Sequence, residues 1–190
     1  DPMDMPIEYG LEDDETMENT SIESAKEKAL KKKSDYIVSI IEAMISKTRG
    51  YSNESEITAQ QRSIIDKCMI RTYHDYFESD FDEGCLPTLL QLQEELDKER
   101  ASSHEARAIA EGVEYCTRGS MDMFADKTNV NIDNRMVVFN IRDLGGQLRQ
   151  IGLTIIFDFV WNTMIANKNK GVRTYCYCDE IHVMFKNYTS

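Results

Sequence analysis

The residues best suited to chemistry are Asp179 and Glu180, which follow directly on the apolar run Val172-Arg-Thr-Tyr-Cys-Tyr-Cys178. That run predicts a buried β-strand, and open α/β sheets bind ligands outside the carboxyl ends of their strands. Two adjacent carboxylates there suit a magnesium nucleotide. Asp179 would hold the Mg²⁺ of Mg-ATP through its water shell, because the ion gives up its waters reluctantly. Glu180 would be the catalytic carboxylate, orienting the water that attacks the γ-phosphate. The plain alternative is a strand that ends in solvent with its charges exposed. The same strand-end logic picks out Arg142 and Asp143 after the run Arg135-Met-Val-Val-Phe-Asn-Ile141. Arg142 is an accessory candidate that would meet phosphate or a neighbouring subunit. Its plainer reading is an exposed charge ending a strand.

The rest of a nucleotide site is missing from the chain. No stretch reads G-x-x-x-x-G-K-[ST], and the nine glycines include no Gly-Lys pair. Without that loop there are no clustered backbone N–H groups to cradle phosphates and no lysine for the β/γ oxygens. By itself the chain is expected to bind neither Mg²⁺ nor ATP and to be inactive. Cys176-x-Cys178 puts two thiols on one side of a strand. Zinc would need four ligands, and no second Cys or His pair has suitable spacing, so these are expected to be buried structural cysteines. His74, His104 and His182 are scattered, and His182, two residues past the acidic pair, would line a site or simply pack. Met121-Asp-Met123 fits core filling.

Two strands and a helix must position those residues. After Gly119 the pattern gives the apolar strand 135–141, a break at Gly145-Gly146, a long apolar helix from Gln147 to Asn167, a turn at Lys168-Asn-Lys-Gly171, and the strand 172–178. Strand, helix and strand with short joints predict a βαβ unit with two parallel strands and a right-handed crossover. Two parallel strands cannot bury both faces alone, so truncation of a larger α/β sheet is expected.

Residues 34 to about 118 predict helices. Tyr36, Ile37, Ile40, Ile41, Met44 and Ile45 keep helical spacing, with Ser34 as N-cap and Gly50 just past the end. Ile57, Ile64, Ile65, Cys68 and Tyr76 mark a second, longer helix. Leu86-Pro-Thr opens a third, with Leu89, Leu92 and Leu96 on one side. Ser102-x-x-Glu105 makes a capping box for a fourth, through Ala106, Ile109 and Val113. Residues 1–33 form a polar segment in which the acidic run 11–18 and the basic run Lys26 to Lys33 are expected to be solvated.

The formal net charge of −12 opposes a protein built to bind nucleic acid, since phosphate contacts need a basic field. Five cysteines, an odd count, with no secretory signal pattern suit reduced thiols in the cytoplasm. The longest apolar stretch, Ile151 to Ala166, contains Asp158 and Asn162 and is too short to span a bilayer comfortably.

Arg135-Met-Val-Val-Phe-Asn-Ile-Arg-Asp-Leu144, the helix carrying Trp161-Asn162, and Arg173-Thr-Tyr-Cys-Tyr-Cys-Asp-Glu-Ile-His-Val-Met-Phe185 resemble the VirB-operon-type ATPases of type IV secretion and conjugative-transposon transfer systems. The resemblance reaches back through Gly119-Ser-Met-Asp-Met-Phe-Ala-Asp-Lys-Thr-Asn-Val130 to Pro2-Met-Asp-Met5 and Glu8-Tyr-Gly10. It implies an FtsK/HerA-related P-loop ATPase with a RecA-like α/β core, residues 34–118 being a helical insertion and 119–190 the βαβ part of that core. Asp179 would be the Walker B magnesium residue and Glu180 the catalytic glutamate, with the Walker A loop upstream and later motifs downstream. It further implies a homo-oligomeric, hexameric ring at the cytoplasmic face of the bacterial membrane. That ring would work with the conjugation or secretion machinery, with DNA contact indirect or weak. The family more often has Asn where Asp1 stands, and a more aliphatic strand than Tyr175-Cys-Tyr-Cys178. A non-catalytic helical protein–protein interaction module is the competing reading, and a stand-alone DNA-handling protein is a third that the acidic charge opposes.

Overall fold

The computed structural model describes residues 1–5, 22–45, 57–130, 132 and 134–179. Six α-helices order these residues: α1 (Ile22–Ile45), α2 (Ala59–Thr72), α3 (His74–Glu78), α4 (Leu89–Glu99), α5 (His104–Thr117) and α6 (Gly146–Asn169). Short 3-10 turns lie at Glu83–Cys85 and Asp122–Phe124. Two compact units are distinguished, Asp1–Ile156 and Phe157–Ser190.

In the first unit α1 packs on α2 and α5, and α4 packs on the same two helices, which closes a four-helix bundle. The helix α1 forms because Ala25, Ala29, Lys33, Ile37, Ile41 and Met44 recur near every fourth residue, and all are buried. Leu89, Leu92 and Leu96 present the buried face of α4, as their spacing predicts. Ile109, Ala110, Val113 and Cys116 supply that of α5. Full burial of each such aliphatic side chain contributes roughly 1.5–3 kcal/mol before entropy is counted. The start of α2 is a capping box: the Gln61 N–H donates to Thr58 Oγ1 at 3.2 Å and the Thr58 N–H to Gln61 Oε1 at 3.0 Å.

Several local expectations shift. Ser34 is not a cap; it lies inside α1, and its hydroxyl donates to Asp66 Oδ1 of α2. Lys33, from the basic run, is fully buried, with its ammonium donating to the Asp4 carbonyl oxygen at 2.6 Å and lying 4.5 Å from the Tyr36 ring centre. Such a charge is tolerated because hydrogen bonding and the aromatic face replace water. The second helix breaks at Tyr73, and α3 continues after it. Asp80 and Phe81 then take left-handed backbone conformations (φ 59° and 67°), turning the chain so that Phe81 stacks edge-on against Tyr76 and Phe77. Gly50 and the acidic run 11–18 lie outside the described residues.

The α/β expectation is overturned. Among the described residues there is no strand and no sheet, so the parallel pair, the crossover and a RecA-like core are absent there. Among the described residues, 135–141 and 172–178 make no ladder hydrogen bonds. Their apolar side chains stand in the open: Met136 is 83% exposed, Val138 82%, Tyr175 70% and Tyr177 91%. A β-branched, aromatic run favours a strand only where a second strand takes its backbone groups and a packed face takes its side chains. Neither is supplied by the described residues. The helix between the two runs does form, over Gly146–Asn169, close to the predicted bounds.

Candidate functional site

Asp179 follows a well-defined helix end. The helix α6 closes with the Val172 N–H donating to the Asn167 carbonyl at 2.8 Å and the Gly171 N–H to that of Lys168 at 2.9 Å. This double closure needs a left-handed residue, and Gly171, at φ 69°, provides it without a Cβ penalty. The Asn167 amide then donates to Thr174 Oγ1 at 2.8 Å, tethering the outgoing chain. From there residues 172–178 run to Asp179, which lies in a turn and is exposed. Glu180 and His182 lie outside the described residues.

Asp179 therefore stands as one exposed carboxylate. Among the described residues no group of three His, Cys, Asp or Glu side chains gathers to hold a metal ion. Magnesium requires near-octahedral oxygen coordination. A lone exposed carboxylate does not fit it, so the described residues do not by themselves make a magnesium–nucleotide site. Arg142 is also exposed, in a turn where its N–H donates to Asn140 Oδ1 at 3.1 Å. Its carbonyl oxygen accepts from Arg149 at 3.5 Å. Asp143 beside it is exposed too.

The cysteines separate into two kinds. Cys68 and Cys116 are buried in the bundle, and burial pushes both thiols up to about 11 from the usual 9.0. For Cys68 the nearby Glu99 adds to that shift. Cys85, Cys176 and Cys178 are exposed. The expected burial of the last two is thus reversed, while their placement on one side of the chain holds: the sulfur atoms are 3.8 Å apart. That proximity was visible in the i, i+2 spacing. What misassigned it was the assumption that an apolar run must be covered.

Charged residues elsewhere brace the bundle. Glu99 of α4 takes an ion pair from Lys67 at 2.9 Å and another from Arg71 at 2.8 Å, both on α2, and these donors hold its carboxyl below the usual carboxylate range. Arg118 reaches Asp97 at 2.6 Å, and Arg100 pairs with Glu114, joining α4 to α5. Gln93 is buried between the same helices and donates to Asp97 Oδ1 at 2.9 Å and to the Ala110 carbonyl at 3.1 Å. These groups are occupied with one another, and their work is structural.

No family model, curated protein or solved structure matches the chain. Among the described residues no helix is long and apolar enough to cross a membrane.

Proposed function

We propose that this chain contributes an acidic Walker B segment and a helical bundle to a magnesium-dependent ATPase that energises conjugative DNA transfer or type IV secretion. The observation that carries the reading is the resemblance of residues 119–144 and 172–185 to such ATPases, the second stretch ending its apolar run on Asp179-Glu180. In that role Asp179 would bind the magnesium of Mg-ATP and Glu180 would orient the attacking water. The phosphate-binding loop is absent from this sequence, so it would be encoded upstream in the same reading frame, and the isolated chain would be inactive. The apolar residues left in solvent at 136–139 and 172–177 support association with further protein, such as neighbouring ring subunits. The work would take place in the cytoplasm at the inner membrane face.

The test uses the protein made from the complete reading frame around this sequence. Its Glu180→Gln variant is expected to keep nucleotide binding and lose steady-state ATP turnover by about a hundredfold or more, the scale of a lost general base. Undiminished turnover would remove the catalytic role. The same frame is expected to encode G-x-x-x-x-G-K-[ST].

A second reading, a non-catalytic helical interaction module, is favoured by the all-helical order of the described residues. It predicts that Glu180→Gln changes nothing, while Val138→Asp and Tyr177→Asp abolish partner capture.

A further inference from the structure

Cys176 and Cys178 share a property that none of the other cysteines has: both are exposed, and their sulfurs lie 3.8 Å apart. We propose that the two form a solvent-facing dithiol that small-molecule disulfides such as oxidised glutathione convert to an internal disulfide. The inference is independent of the ATPase reading.

The geometry is set locally. The Gly171 closure of α6 and the Asn167–Thr174 hydrogen bond define where the segment leaves the helix. Beyond them, the two thiols meet on the same side of the chain, with their sulfurs 3.8 Å apart. Two extended residues span at most about 7 Å, the upper edge of the Cα separations that a disulfide bridges, so only a small backbone contraction closes the ring. No intervening group needs to move, because Tyr177 between them points its ring into solvent at 91% exposure.

The reaction balances in two exchanges. A thiolate of the pair attacks one sulfur of oxidised glutathione, forming a mixed disulfide and releasing one glutathione thiolate, which takes up the proton. The neighbouring thiol, on losing its proton, attacks the protein sulfur of that mixed disulfide and expels the second glutathione. Two electrons and two protons pass from the protein to the glutathione disulfide.

The molecule carries its own controls. Cys85 is exposed, and its nearest cysteine in the sequence, Cys68, is buried, so it is expected to stop at a mixed disulfide. Cys68 and Cys116 are buried and protonated, so they do not react in the folded chain. The experiment is incubation of the chain with oxidised glutathione, followed by acid quench, trypsin and mass spectrometry of the fragment that starts at Thr174 and holds both cysteines. The expected product is that fragment two hydrogens lighter, together with glutathione on Cys85, and dithiothreitol reverses both. Cys178→Ser should leave glutathione on Cys176 instead, and Cys176→Ser should leave it on Cys178. A fragment carrying two glutathiones, an unreacted fragment beside a modified Cys85, or a disulfide from Cys85 to either residue would each overturn the proposal. Circular dichroism of both Ser variants should match the parent, which keeps a folding defect separate from lost exchange.

Discussion

The Tyr73 hydroxyl donates to the main-chain carbonyl oxygen of Met3 at 2.5 Å across 70 residues of sequence, inside the bundle where both side chains are fully buried. Tyr76 repeats the contact with the Met5 carbonyl at 2.8 Å. Two tyrosines at the α2–α3 break thus dock residues 1–5 onto the helices, and Met3 and Met5 fill the space beneath. Tyr73→Phe keeps the ring packing and strands a buried carbonyl. It should lower stability by about 1–3 kcal/mol, the desolvation cost of an unsatisfied polar group. Urea unfolding followed by circular dichroism measures this as a lower midpoint at unchanged slope. An unchanged midpoint would mean that residues 1–5 are not held there.

The α1–α5 contact depends on the absence of a side chain at Gly112. A Cβ built there would lie 2.6 Å from Cγ1 of Ile45, closer than any real contact. Alanine is the better helix former by about 1 kcal/mol, which works in the opposite direction. Overpacking of a tight contact costs typically 1–3 kcal/mol, so the clash should win and Gly112→Ala should destabilise. In an Ile45→Ala background, which lacks the opposing Cγ1, Gly112→Ala should cost less than in the parent. Thermal melts of the two variants decide it, and a stabilised single variant would show that the helices separate freely.

These two contacts mark what the sequence could reveal. Periodicity found the leucine face of α4 and the extent of α6, because a helix satisfies its own backbone and needs only one covered stripe. It places Tyr76 on the second helix but not against Met5, and it does not single out Tyr73 or Gly112; these roles come from partners about seventy residues away that no local pattern encodes. The burial of Lys33 is hidden for the same reason: nothing adjacent reveals the Asp4 carbonyl that accepts its hydrogen bond. The runs 135–141 and 172–178 failed differently. Their composition is strand-like, but a strand exists only with a neighbour, and none lies beside them among the described residues. Of the proposed site, the position of Asp179 at the end of an apolar run is legible in the sequence, whereas its exposure is not.

Alkaline pH should weaken the bundle through its buried thiols. Cys68 and Cys116 ordinarily titrate at 9.0, and burial raises both to about 11 in the folded chain. The folded state therefore keeps protons that the unfolded state releases first. The stabilisation linked to these groups is fully present below about pH 9 and is lost as pH rises towards 11. Urea midpoints measured across that window should fall. A Cys68→Ala, Cys116→Ala double variant starts less stable, yet its midpoint should fall less steeply than the parent's. Equal slopes would assign the alkaline loss to other groups.

The start of α5 separates two neighbouring serines. Ser102 completes a capping-box pattern with Glu105, but the observed cap is Ser103, whose hydroxyl accepts the Ala106 N–H at 3.1 Å. The helix begins at His104, so Ser103 holds the extended backbone (φ −159°, ψ 166°) that a capping residue requires. Its hydroxyl satisfies one of the N–H groups that the first turn leaves open. Ser103→Ala should cost about 1 kcal/mol, the usual penalty for removing such a cap. Ser102→Ala, one position earlier in an exposed turn, should stay within about 0.5 kcal/mol of the parent. Parallel urea titrations of the two variants make the comparison. The reverse order of effects would move the cap to Ser102 and start the helix one residue earlier.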